Sequence, residues 1–92
     1  MKTEIRESVL LLSGEVRVTT VTNAAYRQFR QACENPQVNT IDLSGVTRAD
    51  SACLSLLLAA VRRKEGQPAI RSIPPSVAAL AELYDIQEWI RA

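Results

Sequence analysis

Between Val38 and Gly66 the sequence reads VNTIDLSGVTRADSACLSLLLAAVRRKEG, and that order of residue types admits few folds. The run Val38 to Leu43 is rich in β-branched residues and predicts a short strand. Ser44-Gly45 follows as a turn signal, with a polar loop through Thr47, Arg48 and Ala49. Asp50-Ser51 then stands directly ahead of a largely apolar stretch from Ala52 to Val61. Short polar residues at that place start helices, because their oxygens accept from the free amides of the first turn. Arg62, Arg63 and Lys64 suit the negative end of the helix dipole, and Gly66 suits a C-cap. The stretch thus predicts strand, loop and helix, with a hydroxyl beside a carboxylate on the first turn. A working site belongs there.

The helix after Asp50 carries more apolar surface than one buried face needs. At about 100° per residue, Leu54, Leu57, Leu58 and Val61 form one stripe, the natural core face. Cys53, Leu56 and Ala60 form a second, more than a quarter turn away. Either a neighbouring helix of the same domain covers that second stripe, or a partner does.

On either side the chain reads in short elements. Lys2 to Glu7 predicts an edge strand, Ser8 a tight turn, and Val9 to Leu12 a buried strand that Ser13-Gly14 ends. Glu15 to Thr19 reads as a linker with strand propensity. From about Thr20 to Glu34 the spacing turns helical: Val21, Ala25, Phe29 and Ala32 fall near one face, Thr20 or Thr22 caps the start, and Asn35-Pro36 closes the end. In the central strand Ile41 and Leu43 share the buried face, while Asp42 lies on the more polar one and is expected to accept from a loop amide. After a turn at Gln67-Pro68, Ala69 to Ile73 predicts a strand. Pro74-Pro75-Ser76 opens a helix with Val77, Leu80, Ala81 and Tyr84 in helical spacing, and Ile86, Trp89 and Ile90 repeat that spacing near the end. Trp89 pins the chain end or anchors a partner. Strands alternating with helices require right-handed parallel crossovers, and the first short connection requires a hairpin. The fold class is therefore α/β, a mixed sheet of about four strands covered by helices, in a single domain over residues 1–92.

Composition then removes function classes. Basic and acidic residues nearly balance, 11 against 10, and no basic stripe argues for nucleic acid. No apolar run approaches the ~20 residues that span a bilayer, and no signal-peptide pattern opens the chain, so a cytoplasmic protein without membrane insertion is expected. Histidine is absent, which removes Ser-His-Asp hydrolysis, the common zinc sites and the usual neutral-pH base. Cys33 and Cys53 stand in no metal spacing and read as small buried residues. Gly14, Gly45 and Gly66 are isolated, and no phosphate-cradling GxxxxGK motif occurs, so no ATP hydrolysis, no cofactor and no enzymatic activity are expected. Read structurally, Ser51 is a helix N-cap, a role compatible with docking.

The chain also resembles the STAS domain family, the fold of bacterial anti-sigma-factor antagonists. The resemblance rests on Leu12-Ser13-Gly14-Glu15, on Ile41-Asp42-Leu43-Ser44-Gly45-Val46, on Asp50-Ser51 with Leu54 behind it, and on Leu80-Ala81-Glu82-Leu83-Tyr84. Within the family it is most similar to the MlaB type, the small cytoplasmic subunit of an ABC complex that moves phospholipids between the two Gram-negative membranes. The resemblance implies docking on that complex's ATPase through Ser51, Asp50, Cys53, Leu54 and Leu56, with Thr47 and Arg48 from the preceding loop. It implies a location peripheral to the inner membrane, through the complex. The alternative it implies is an antagonist that captures an anti-sigma kinase and is released by phosphorylation of Ser51. A phosphate there would meet free first-turn amides and stand beside Asp50. Many antagonists carry Gly where this chain has Cys53, a difference that makes the patch more hydrophobic and suits a constitutive subunit.

Overall fold

The computed structural model describes residues 1–63 and 68–84. The expected C-cap at Gly66, the start of the turn at Gln67 and the segment with Ile86, Trp89 and Ile90 lie outside the described residues. Lys2–Arg6 (β1) and Val9–Val16 (β2) pair antiparallel through a two-residue turn at Glu7 and Ser8. Glu7 adopts a φ of 55° there, a conformation that tight hairpins usually assign to glycine or asparagine. Helix Asn23–Cys33 (α1) leads to the strand Thr40–Ala49 (β3), helix Ser51–Arg63 (α2) to the strand Ala69–Arg71 (β4), and helix Pro75–Leu83 (α3) follows. The strands lie in the order β1-β2-β3-β4, with β2, β3 and β4 parallel. This is the mixed four-stranded α/β sheet that the sequence pattern predicts.

Two right-handed crossovers that step the same way across a sheet place their helices on one face. The burial pattern agrees. Leu10, Leu12 and Val16 of β2, Ile41 and Leu43 of β3, and Ile70 of β4 are buried, together with Phe29 of α1 and Val77 and Ala81 of α3. Thr22 caps α1, its hydroxyl accepting from Ala25 N–H at 3.1 Å. Thr20, the other expected cap, instead ties down the turn before α1. Its hydroxyl donates to the Glu15 carbonyl at 2.7 Å and accepts from Arg17 N–H at 2.9 Å. Tyr84, expected on the buried stripe of α3, is exposed.

Both long strands run further than their sequences suggest. Ser13-Gly14 does not end β2, and Ser44-Gly45 does not turn after β3; Thr47, Arg48 and Ala49 belong to the strand rather than to a loop. The reason is their mutual pairing. Leu11 faces Asp42 and Ser13 faces Gly45, then Gly14 faces Val46 and Glu15 faces Arg48. β3 therefore carries an extra residue at each of two bulges, which matches its 10 residues against 8 in β2. At the first bulge Asp42 accepts from Ser44 N–H at 2.8 Å, replacing a ladder bond that the bulge breaks. Gly14 takes a φ of 82°. Gly45 serves close approach instead: a Cβ there would lie 2.8 Å from Ser13 Cβ.

Chain geometry at the bulges is thus testable. Gly45→Ala should destabilise the fold by roughly 1–3 kcal/mol in urea unfolding, as overpacking does. Adding Ser13→Gly, which removes the opposing Cβ, should recover part of that loss in a double-mutant cycle.

Candidate functional site

The chain leaves β3 at Ala49, and the next residue does three things at once. Asp50 N–H donates to the Val16 carbonyl at 3.3 Å, extending the sheet by one step. One carboxylate oxygen accepts from Ala52 N–H at 2.8 Å, and the Asp50 carbonyl accepts from Cys53 N–H at 3.0 Å. Asp50, not Ser51, is therefore the N-cap of α2. The other carboxylate oxygen accepts from Val18 N–H at 3.1 Å, reaching across to the turn between β2 and α1. The Val18 amide, ahead of the Ala52 amide and the nearby Arg17 charge, holds the Asp50 carboxyl below the usual carboxylate range. Asp42 is likewise held low, first by its bonds to Ser44 and then by Arg71, whose guanidinium lies 3.2 Å away. Its place is structural, as expected of a carboxylate that bonds a backbone amide.

Ser51 occupies the first helical position and is exposed. Among the described residues its hydroxyl has no hydrogen-bond partner, while its carbonyl accepts from the Ser55 hydroxyl at 3.1 Å. Ser51, Ala52, Ser55 and Leu56 line a groove of about 280 Å³ with Val18, Val21 and Tyr26. Val18 is 74% exposed. The sequence pattern predicts only a linker there, and no signal marks Val18: one valine in a polar turn predicts nothing about display. A period-2 or helical pattern cannot identify Tyr26 and Ser55 as neighbours either, because they meet across two elements.

Three of the expected docking residues are not exposed. Cys53, Leu54 and Leu56 are buried, at 0%, 4% and 2% exposure. The physical reason is that α2 lies on the sheet and contacts both α1 and α3, so the chain itself covers both apolar stripes. Cys53 therefore adds nothing to an accessible patch, and Leu56 reaches the groove only as its floor. Burial, with the Asp50 carboxylate adding to it, pushes the Cys53 thiol up to about 11. Thr47 and Arg48 are exposed, but they line a separate cleft of about 600 Å³ between the end of β3 and the start of α3, with Ser72, Pro74 and Ser76. The second bulge turns Arg48 to the outer face opposite Glu15. The structure thus joins Asp50 and Ser51 to Val18 and Tyr26, and separates them from Thr47 and Arg48. A phosphate on Ser51 would not find the Ala52 and Cys53 amides free, because Asp50 already engages both. It would meet chiefly the carboxylate.

Among the described residues no group of His, Cys, Asp and Glu is placed to hold a metal ion, and no helix is long and apolar enough to cross a membrane. The family model described as Mlab, STAS domain, matches residues 2–91. The solved structure of the anti-sigma factor antagonist SpoIIAA in its unphosphorylated form is similar in fold, with a TM-score of 0.59 at 20% identity over 97% of this chain and 84% of that one. None of the curated proteins matches the chain.

Asp50→Ala, which frees two amides, should lower stability by about 1–2 kcal/mol in urea unfolding. Asp50→Asn offers only one acceptor oxygen and should lose less. Because the folded carboxyl is held low, the stabilisation from the ionised form is complete above its ordinary value of 3.8 and is lost as pH falls. The stability gap between the wild type and Asp50→Asn should narrow from about pH 5 to about pH 3. Separately, neither Cys33 nor Cys53, both buried and outside any disulfide among the described residues, should react with iodoacetamide at neutral pH until the fold is opened with urea. Rapid labelling of the native protein would contradict the burial of the second stripe.

Proposed function

The chain belongs to the Mlab type of the STAS domain family, and on that premise we propose that it is a non-enzymatic regulatory and assembly subunit. As one STAS domain over residues 1–92, it docks on the ATPase of a phospholipid-transporting ABC complex that maintains outer-membrane lipid asymmetry. Its place is then the cytoplasmic side of the inner membrane, held there by the complex. The observation that carries this reading is the first turn of α2: an exposed Ser51 whose hydroxyl has no partner among the described residues, beside an exposed Val18, both positioned by Asp50. Such a surface offers contacts without chemistry. Both Asp50 oxygens accept backbone N–H groups, so the carboxylate is not aimed at the Ser51 hydroxyl as a base, and the sequence has no histidine to replace it. A bound partner shifts the ATPase towards its competent state only by its greater affinity for that state.

The exposed Ser51 hydroxyl also favours a second reading, an antagonist that captures an anti-sigma kinase and is released by phosphorylation. With the nearest amides engaged, a phosphate would act by repulsion and desolvation at the interface. Incubation with the kinase and ATP, followed by mass spectrometry of the Ser51 peptide, separates the two.

For the leading reading, Ser51→Glu should reduce co-purification of the ATPase subunit by about tenfold or more and lower its ATPase activity in the assembled complex. Undiminished binding and activity would remove this face from the interface.

A further inference from the structure

The groove beside Ser51 has properties that specify its occupant more closely than the family does. Val18 is exposed, yet its turn is fixed. Its amide is held by Asp50, Thr20 N–H and Val21 N–H both donate to the Arg17 carbonyl at 2.9 Å, and the Thr20 hydroxyl bonds Glu15 and Arg17. An apolar side chain displayed on an ordered turn carries little ordering cost when it is covered.

Charge around the groove is one-sided. α1 and α2 contain no aspartate or glutamate in their ranges, while Arg27 and Arg30 stand on α1. Arg30 lies 5.6 Å from the centroid of the Tyr26 ring that lines the groove, and its buried Nε has no hydrogen-bond partner. Among the described residues no carboxylate pairs with it. The acids closest in sequence to the groove are already engaged, Glu15 with Arg17 at 3.2 Å and Asp50 with two amides. The unmatched charge beside the groove is therefore positive.

Building on the docking role above, we infer that this groove receives an acidic protein segment: an aliphatic side chain packs between Val18, Val21 and Tyr26, and a neighbouring carboxylate pairs with Arg30. A groove of about 280 Å³ accommodates a leucine-sized side chain. Tyrosine and arginine are enriched in interface hot spots, and Arg30 is half-buried beside Tyr26. Val18 and Arg30 become specificity-determining contacts, and Ser51 the hydroxyl at their edge.

The test measures binding of the full chain to the purified ATPase subunit by calorimetry, at low and at high salt. Val18→Asp and Arg30→Glu should each weaken binding by about tenfold or more, while Arg30→Lys should lose much less. The wild type should weaken with salt, and Arg30→Glu should show a flatter salt dependence. Because Val18 is exposed, Val18→Asp remains informative even where Arg30→Glu lowers the melting temperature. Wild-type affinity in Val18→Asp or in a folded Arg30→Glu, with Ser51→Glu still defective, overturns the groove and leaves the docking role standing. No binding by the wild type overturns both. Vesicles of phosphatidylglycerol serve as the other arm: variants that lose vesicle binding but keep the ATPase would assign the cations to an anionic membrane and overturn the inference.

Discussion

Two backbone amides from distant parts of the chain, those of Val18 and Ala52, end on the two oxygens of one carboxylate. Without Asp50 the first turn of α2 would have an unsatisfied donor, and the turn before α1 would lose its bond to the α2 corner. The bond count understates the consequence. The same residue continues the β2–β3 ladder through Val16, so strand, turn and helix converge on a single position. Rigid display of Ser51 and Val18 follows directly from that convergence, since each sits within one residue of an Asp50 contact or of Asp50 itself. The docking surface proposed above would therefore need little reorganisation on being covered.

Beneath that corner the sheet is adjusted by its bulges. β3 has two more residues than the stretch of β2 it pairs with, and accommodates them at two bulges instead of overhanging the end. The first shifts the inward sequence from Leu43 to Val46, and the second from Val46 to Ala49; both latter residues pack against the core. Continued alternation from Leu43 would have pointed Gly45 and Thr47 inward. The small side chains at Ser13 and Gly45 allow the strands to come close where the first bulge ends. By absorbing two residues, the bulges bring Asp50 level with the end of β2 and not beyond it.

The helix layer decides which side chains of α2 stay exposed. α2 lies over the sheet between two other helices, and both of its apolar stripes supply buried residues, Leu54, Leu57 and Val61 from one and Cys53, Leu56 and Ala60 from the other. Little of its apolar surface remains accessible, so the docking proposed above would fall to its polar first turn and to side chains contributed by neighbouring segments. The surface proposed for docking is then a composite corner with a hydroxyl, a fixed valine and an arginine over tyrosine, in place of a greasy helix flank.

Local pattern was enough for the elements themselves. β-branched runs, Pro36 and Pro74-Pro75, and the helical spacing of Val77, Leu80 and Ala81 determined a mixed α/β sheet, because backbone preference and amphipathicity act within a few residues. The sequence also determined that Asp50 and Ser51 open the helix at the candidate site. It did not determine where β2 and β3 end, since Ser-Gly pairs favour turns in isolation and become strand only when they face one another across a ladder. Nor did it decide that Cys53 and Leu56 would be hidden, Thr47 and Arg48 set in a different cleft, or Val18 displayed. Those outcomes depend on which elements pack side by side, and contacts between residues 32 positions apart, such as Val18 and Asp50, have no periodic signature for a sequence to reveal.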